Sequence, residues 1–207
     1  IKLRAGASND GRLTALELDV LTNTGAYGNH GPGVMFHACG ESLSVYNCAN
    51  KKVDAHAMYT NTVPAGAFRG YGLSQMIFAI ESAMDELAAG IGMDPFEFRR
   101  RNMVREGDLM LSTQPEPEED VHYGSYGLDQ CLSLVRDALA RGRERYRAAG
   151  LDELGPEWLT GEGTALSMID TVPPRGHFAH SRLRLLPDGT YQADVGTAEF
   201  GNGTTTV

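Results

Sequence analysis

The sequence predicts an α+β protein, with mixed or antiparallel sheets and helices packed on them. Three observations carry this. Apolar and polar residues alternate through the first 26 positions and again over Val53–Thr60. Apolar residues then fall three and four apart over 74–89 and 127–148, with a short capped helix from Asp94 between them. After residue 160 the texture becomes β again. Strands, then helices, then strands suggest segregated layers and a boundary near residue 155, giving domains 1–155 and 156–207.

Taken in order, Ser8-Asn9-Asp10-Gly11 is a hairpin turn between two strands, since Asp-Gly supplies the backbone angles a tight turn needs. In the second strand Leu16, Leu18 and Val20 share one face, Glu17 and Asp19 the other. Five glycines in 25–40 forbid a regular element at first, and a short helix is expected from Gly33. His30 and His37 lie in this segment and read as structural. Short β-prone pieces follow at Val45-Tyr46 and Val53–Thr60.

The run 74–89 places Ile77, Ile80, Met84 and Leu87 on one helical stripe, with Ser74 as the expected N-cap and Gly90 and Gly92 as the stop. Asp94-Pro95-Phe96-Glu97 then reads as cap, first turn and capping box. Arg99, Arg100 and Arg101 fall where the helix dipole favours cations. Residues 112–126 read as a polar surface loop. The third helix, from Gly127 to Ala148, has Leu128, Cys131, Leu132, Val135, Ala138 and Leu139 as its apolar stripe. The four arginines at its far end, 141, 143, 145 and 147, read as a solvated face. Residues 150–160 form a linker. Strands are expected over 163–169, 178–186 and 190–195, with Pro187-Asp188-Gly189 as a turn.

Composition bounds the function. The chain has 207 residues, 42% hydrophobic, enough for a substantial core. A net charge of -9 argues against a broad nucleic-acid or anionic-membrane surface. No apolar run reaches the ~20 residues of a membrane span. Three cysteines, Cys39, Cys48 and Cys131, lack metal-site spacing and fit a reducing compartment, so a cytoplasmic location is expected. The opening Ile1-Lys2-Leu3-Arg4 reads as the inside of a strand, so the chain is expected to be an internal piece of a longer polypeptide.

Chemistry concentrates at Gly66-Ala67-Phe68-Arg69-Gly70-Tyr71-Gly72. Glycines let the main chain approach a ligand closely. The following helix aims its N-terminal N–H groups back at the loop. With a cation between them, these are the parts of an anion site. A plain glycine turn with a solvated arginine is the alternative. A second glycine loop, Gly196-Thr-Ala-Glu-Phe-Gly-Asn-Gly203, follows the last strand.

The stretch Tyr59-Thr-Asn-Thr-Val-Pro-Ala-Gly-Ala-Phe-Arg-Gly-Tyr-Gly72, with Gln75, resembles a signature of the molybdenum hydroxylases, the xanthine dehydrogenase and aldehyde oxidase family. Met93–Met103 with Glu106-Gly107-Asp108 is similar to that family's next helix and loop, and 196–203 to its second cofactor loop. The resemblance implies pieces of two tandem molybdopterin-binding domains of a large subunit. It implies an oxidoreductase that hydroxylates a heteroaromatic ring or aldehyde carbon with oxygen from water. The metal is held by a pterin, and no protein ligand to it is expected. Electrons leave through iron–sulfur clusters, commonly to a flavin (FAD), on other domains or subunits.

By position, the resemblance implies that Phe68, Arg69 and Gly70 lie against the molybdenum cofactor. Tyr71 would contact substrate, where relatives often carry Phe. Gly201, Asn202 and Gly203 would meet the pterin, with Asn202 one carbon shorter than the usual Gln. Gly70 stands where the carbon monoxide dehydrogenase branch has a cysteine. Gly33 stands near a purine-binding arginine of the animal enzymes, so xanthine as substrate is not supported there. The catalytic glutamate is expected beyond Val207, with no catalytic residue in this chain; Glu162 and Glu199 read as structural. The chain alone is expected to be inactive. The alternatives are a non-catalytic cofactor-binding or assembly subunit of the same family, or an unrelated anion-binding module.

Overall fold

Alternation in the first 26 residues becomes the hairpin of β1 (Lys2–Ala7) and β2 (Leu13–Gly25), paired antiparallel. The computed structural model describes residues 1–108, 125–153, 155–169, 179–197, 199, 201–204 and 206. The turn is closed by Gly11 N–H donating to the Ser8 carbonyl at 2.8 Å. β3 (Lys51–Tyr59) lies parallel to β2, so the sheet is mixed, ordered β1-β2-β3. A parallel partner requires a crossover, and α1 (Gly31–Ser42) supplies it. Leu16, Leu18 and Val20 face the core, at most 1% exposed. The other face is tied by cross-strand ion pairs, Arg4 to Glu17 at 2.8 Å and Lys52 to Glu17 at 3.4 Å.

Three helices follow: α2 (Leu73–Gly90), α3 (Pro95–Asn102) and α4 (Leu128–Ala148). α2 buries Leu73, Met76, Ile80, Met84 and Ala88. Met76, Ile80, Met84 and Ala88 join Leu43, Tyr46, Phe96, Phe98 and Leu132 in one core. At α3 the Asp94 carboxylate accepts from Glu97 N–H at 2.9 Å, as expected of a cap. Glu97 itself turns to Arg101 at 2.8 Å, so the box is half made. A second two-stranded sheet pairs β4 (Ser181–Leu185) with β5 (Tyr191–Val195) antiparallel across the expected turn. There the Asp188 carboxylate accepts from Thr190 N–H and Oγ1 at 3.0 and 2.7 Å.

Several expectations are corrected. Ser74 is not the N-cap of α2; Gly72 is, because its left-handed backbone (φ 86) ends the loop two residues earlier. The short helix starts at Gly31, two residues before Gly33. Val45 closes a 3-10 turn, Leu43–Val45, and Tyr46 makes only an isolated bridge to Met103. Residues 163–169 form no strand. Leu166 N–H instead donates to the Glu81 carboxylate at 3.0 Å, and its side chain enters the core. The apolar stripe of α4 is buried in part: Leu132 is 2% exposed, but Val135 is 47% exposed and Cys131 is also exposed. Residues 112–124 of the expected polar loop, Phe178, and Ala198 and Phe200 of the second glycine loop lie outside the described residues.

Two polar clusters fix α3, one to α2 and one to the first hairpin. Arg99, fully buried, donates from Nε to Glu81 and from Nη1 to Asp85, both at 2.7 Å. Tyr46 Oη donates to the other Glu81 oxygen at 2.6 Å. Burial and the adjoining Glu81 charge push the Tyr46 phenol well above its ordinary range, so it stays a donor. Asn102 accepts from Leu13 N–H at 2.8 Å and donates to the Gly11 carbonyl at 2.7 Å. The arginine-rich helix therefore clamps the first hairpin.

Candidate functional site

The Gly66–Gly72 stretch links the end of β3 to the start of α2, so a strand and an 18-residue helix fix its two ends. Two overlapping turns shape it. Tyr71 N–H donates to the Phe68 carbonyl at 2.7 Å, and Leu73 N–H to the Gly70 carbonyl at 2.9 Å. Gly72 must be glycine for two reasons. Its φ is 86, and a Cβ there would lie 2.9 Å from both Ala38 Cβ and Val34 Cγ1 on α1. The helix N-terminus is thus pressed against α1. Phe68 is 78% exposed, and Arg69 is exposed beside it.

Tyr71 adopts a left-handed backbone (φ 51), uncommon for an aromatic residue. Its ring is held by both histidines that the sequence marked only as structural. Tyr71 Oη lies 3.0 Å from His30 Nδ1. The His37 ring meets it edge-on, with centroids 5.1 Å apart. His37 in turn lies 2.5 Å from the buried Glu41 carboxylate through Nδ1. Spacing along the chain gave no sign of this, because the contacts form between α1 and a loop 41 residues away from His30.

The second glycine loop comes to the first. Arg69 Nε donates to the Gly201 carbonyl, across 132 residues of sequence. A Cβ on Gly201 would lie 3.2 Å from Arg69 Cβ. Glu199 shapes this loop from inside, accepting from Gly201 N–H at 2.6 Å and Gly203 N–H at 3.2 Å. Phe68, Arg69, Gly70 and Gly201 therefore share one region, with Asn202 and Gly203 next in the chain. Glu162 lies elsewhere, against Arg143 at 2.8 Å, and that hydrogen-bonded cation holds its carboxyl below the usual range. One of the four arginines near the end of α4 is thereby paired rather than merely solvated.

The residues present fit a phosphorylated pterin in kind. Arg69 is a cation just before the N-terminus of α2, and the main chain is left open at Gly66 and Gly203, with no atom within 4 Å of where a Cβ would stand at either glycine. Cys39 and Cys48 are buried and Cys131 exposed, all as free thiols. Burial pushes the Cys39 thiol up to about 11, so it is no nucleophile at neutral pH. Among the described residues no group of three His, Cys, Asp or Glu side chains is arranged around a metal position. Among them, too, no helix is long and apolar enough to cross a membrane.

Comparison with known proteins identifies the family. Residues 1–103 match the family described as the molybdopterin cofactor-binding domain. The putative xanthine dehydrogenase molybdenum-binding subunit XdhA of Escherichia coli K12 is 35% identical over 204 residues, 98% of this chain and 26% of that protein. The probable hypoxanthine oxidase XdhD of the same strain is 32% identical over the whole chain and 21% of its own length. Among solved structures, the aldehyde oxidoreductase of Desulfovibrio gigas superposes with a TM-score of 0.64 at 26% identity, over 92% of this chain and 20% of that one. The chain thus spans about a quarter or less of the length of these relatives. The chain belongs to the molybdenum hydroxylase family of xanthine dehydrogenases and aldehyde oxidoreductases.

Proposed function

We propose that residues 66–72 and 201–203 form one wall of a molybdopterin site in an oxidoreductase that hydroxylates a heteroaromatic ring or an aldehyde carbon. The observation that carries this reading is the Arg69–Gly201 hydrogen bond, which joins the two glycine loops across 132 residues. Phe68, Arg69, Gly70, Gly201, Asn202 and Gly203 would hold the cofactor, and Tyr71 would face the substrate. When bound, the cofactor supplies the metal centre at which oxygen from water is added to carbon. This chain's residues bind and orient: Arg69 and the α2 N-terminus offset negative charge, and Tyr71 presents a flat ring.

The base belongs to another part of the polypeptide. Glu199 is committed to its own loop, and Glu162 to Arg143. The isolated chain would therefore be inactive, and residues 1–155 and 156–207 would belong to two tandem cofactor-binding domains. Iron–sulfur and flavin partners would take the electrons, in the cytoplasm.

Metal analysis of the purified full-length protein tests the reading, with molybdenum and pterin measured per polypeptide beside turnover of ring and aldehyde substrates. Molybdenum near one per chain with substrate hydroxylation is expected. Molybdenum without turnover of any such substrate would favour a cofactor-binding or assembly role. A protein without either would end the proposal, and hydroxylation by the 207-residue chain alone would overturn the placement of the base.

A further inference from the structure

A cleft of about 380 Å³ opens where α2, α3 and α4 meet the segment 162–164. None of its lining residues belongs to either glycine loop. Short side chains leave the space: Ala88 and Ala89 on α2, and Gly163 on the segment, with no atom within 4 Å of where a Gly163 Cβ would stand. Of the other lining residues, Phe96 is buried, and Met93 and Leu139 are partly buried and packed on the core. The floor is therefore apolar. Three charged side chains also line the cleft, Asp85, Arg143 and Glu162, and they are not equivalent. Arg143 is committed: its Nε donates to both Glu162 oxygens at 2.8 Å, and its Nη2 donates to Glu162 as well. Asp85 is only half committed. Its Oδ1 accepts from Arg99 Nη1 at 2.7 Å, but the same guanidinium gives its Nε to Glu81. One cation thus serves two carboxylates, and the Asp85 side chain stays 49% exposed. Among the described residues no donor reaches its Oδ2.

We infer that this cleft binds a small organic amine, a compact apolar body carrying a protonated nitrogen. The body would lie on Ala88, Ala89, Met93, Phe96 and Leu139, and the ammonium would donate to Asp85 Oδ2. An apolar floor with one convergent polar group is the usual build of a small-ligand site, and the volume suits one. The sign of the charge follows from the pairing. An anion would find Arg143 already engaged through two of its nitrogens, and would meet the half-neutralised Asp85 carboxylate. A cation meets an open carboxylate oxygen beside an apolar surface, where attraction is stronger than in bulk water. A neutral molecule of the same shape gains the floor alone. The inference does not depend on the cofactor reading, because it uses none of the residues assigned to the pterin.

The test uses the full-length protein and three probes of one shape: cyclohexylmethylamine, cyclohexylmethanol and cyclohexanecarboxylate. Their saturated ring sets them apart from flat ring and aldehyde substrates. Calorimetry at neutral pH reads each dissociation constant. The amine is expected to bind about fivefold tighter than the alcohol, the worth of one half-exposed ion pair, and the carboxylate most weakly. Added salt should narrow the gap between amine and alcohol. Asp85→Asn keeps an oxygen for Arg99 and removes the charge, so it should erase that gap and leave the alcohol's affinity as it was. Ala89→Met should fill the cleft and weaken both amine and alcohol. Glu162→Gln releases Arg143 and should tighten binding of the carboxylate. Thermal unfolding of each variant separates a lost site from a lost fold, and Ala89→Met and Glu162→Gln decide the matter even if Asp85→Asn does not fold. The proposal is overturned by no binding of the amine, by equal affinities for amine and alcohol, or by a preference that survives Asp85→Asn. Amine binding unmoved by Ala89→Met, or carboxylate binding unmoved by Glu162→Gln, would overturn it equally.

Discussion

Gly72 shows how much a single backbone angle decides. Its left-handed conformation ends the loop, starts α2 and brings the helix end within touching distance of α1. Gly72→Ala should destabilise the protein by about 1–3 kcal/mol, from an incompatible φ plus a forced contact with Val34. Urea unfolding followed by circular dichroism would measure it, and a midpoint equal to wild type would show that the loop has a second conformation available. Lys51 makes a different residue-scale prediction. Burial at the start of β3 pushes its ammonium down from 10.5 to about 8, with the nearby Cys48 acting weakly in the opposite sense. The folded pKa lies below the unfolded one, so the unfolded chain binds more protons between pH 8 and 10.5. Stability from this group therefore rises with pH across that window, and below it the folded state bears the whole penalty. Lys51→Met should raise stability at pH 7 by about 1–3 kcal/mol and remove that share of the pH slope. Denaturation of both proteins at pH 7 and pH 10.5 gives the comparison, and a constant difference between them would refute it.

At the scale of elements, the Arg99–Glu81 pair joins α3 to α2. Arg99 is fully buried and shares Glu81 with Tyr46 and with Leu166 N–H. Removing the cation strands a buried carboxylate, so Arg99→Ala should cost about 3–5 kcal/mol. The double change Arg99→Met with Glu81→Leu should cost less than that single change, because no charge is left unpaired. Additive losses in thermal unfolding would contradict this account. Asp94→Ala is a milder case, at about 1 kcal/mol for one lost cap. The contrast explains what sequence reasoning reaches. Asp94, Pro95 and the hairpin turn act on neighbours within four residues, so their spacing announces them. The strand alternation of Leu16, Leu18 and Val20 announces itself by period. Arg99 was read as a cation at a helix end, because its true partner stands 18 residues earlier on another element. The 163–169 segment has strand texture, but its Leu166 N–H goes to a carboxylate, which propensity does not encode. His30 and Tyr71 lie 41 residues apart in the sequence, and only the fold makes them a pair.

On the scale of the whole molecule, the region that the family resemblance assigns to the cofactor is assembled from two ends of the chain. β3 and α2 deliver Arg69; the segment after β5 delivers Gly201. A guanidinium can serve both purposes because its donors point in several directions from one plane. Nε goes to the Gly201 carbonyl and fixes the second loop to the first. In the proposed site the remaining face of the group would meet a large anion. Arg69→Ala removes both the tether and the charge, while Arg69→Lys keeps the charge but loses the planar fork. One charge-assisted hydrogen bond is worth about 1.5–3 kcal/mol, so cofactor retention by the alanine variant should fall roughly 10- to 100-fold. The lysine variant should fall between alanine and wild type. Molybdenum per full-length polypeptide after gel filtration reads retention directly, and a thermal unfolding curve separates it from loss of fold. If the alanine variant kept its molybdenum and its unfolding temperature, Arg69 would be a surface tether alone, and the glycine collar would have to hold the pterin by main chain without it.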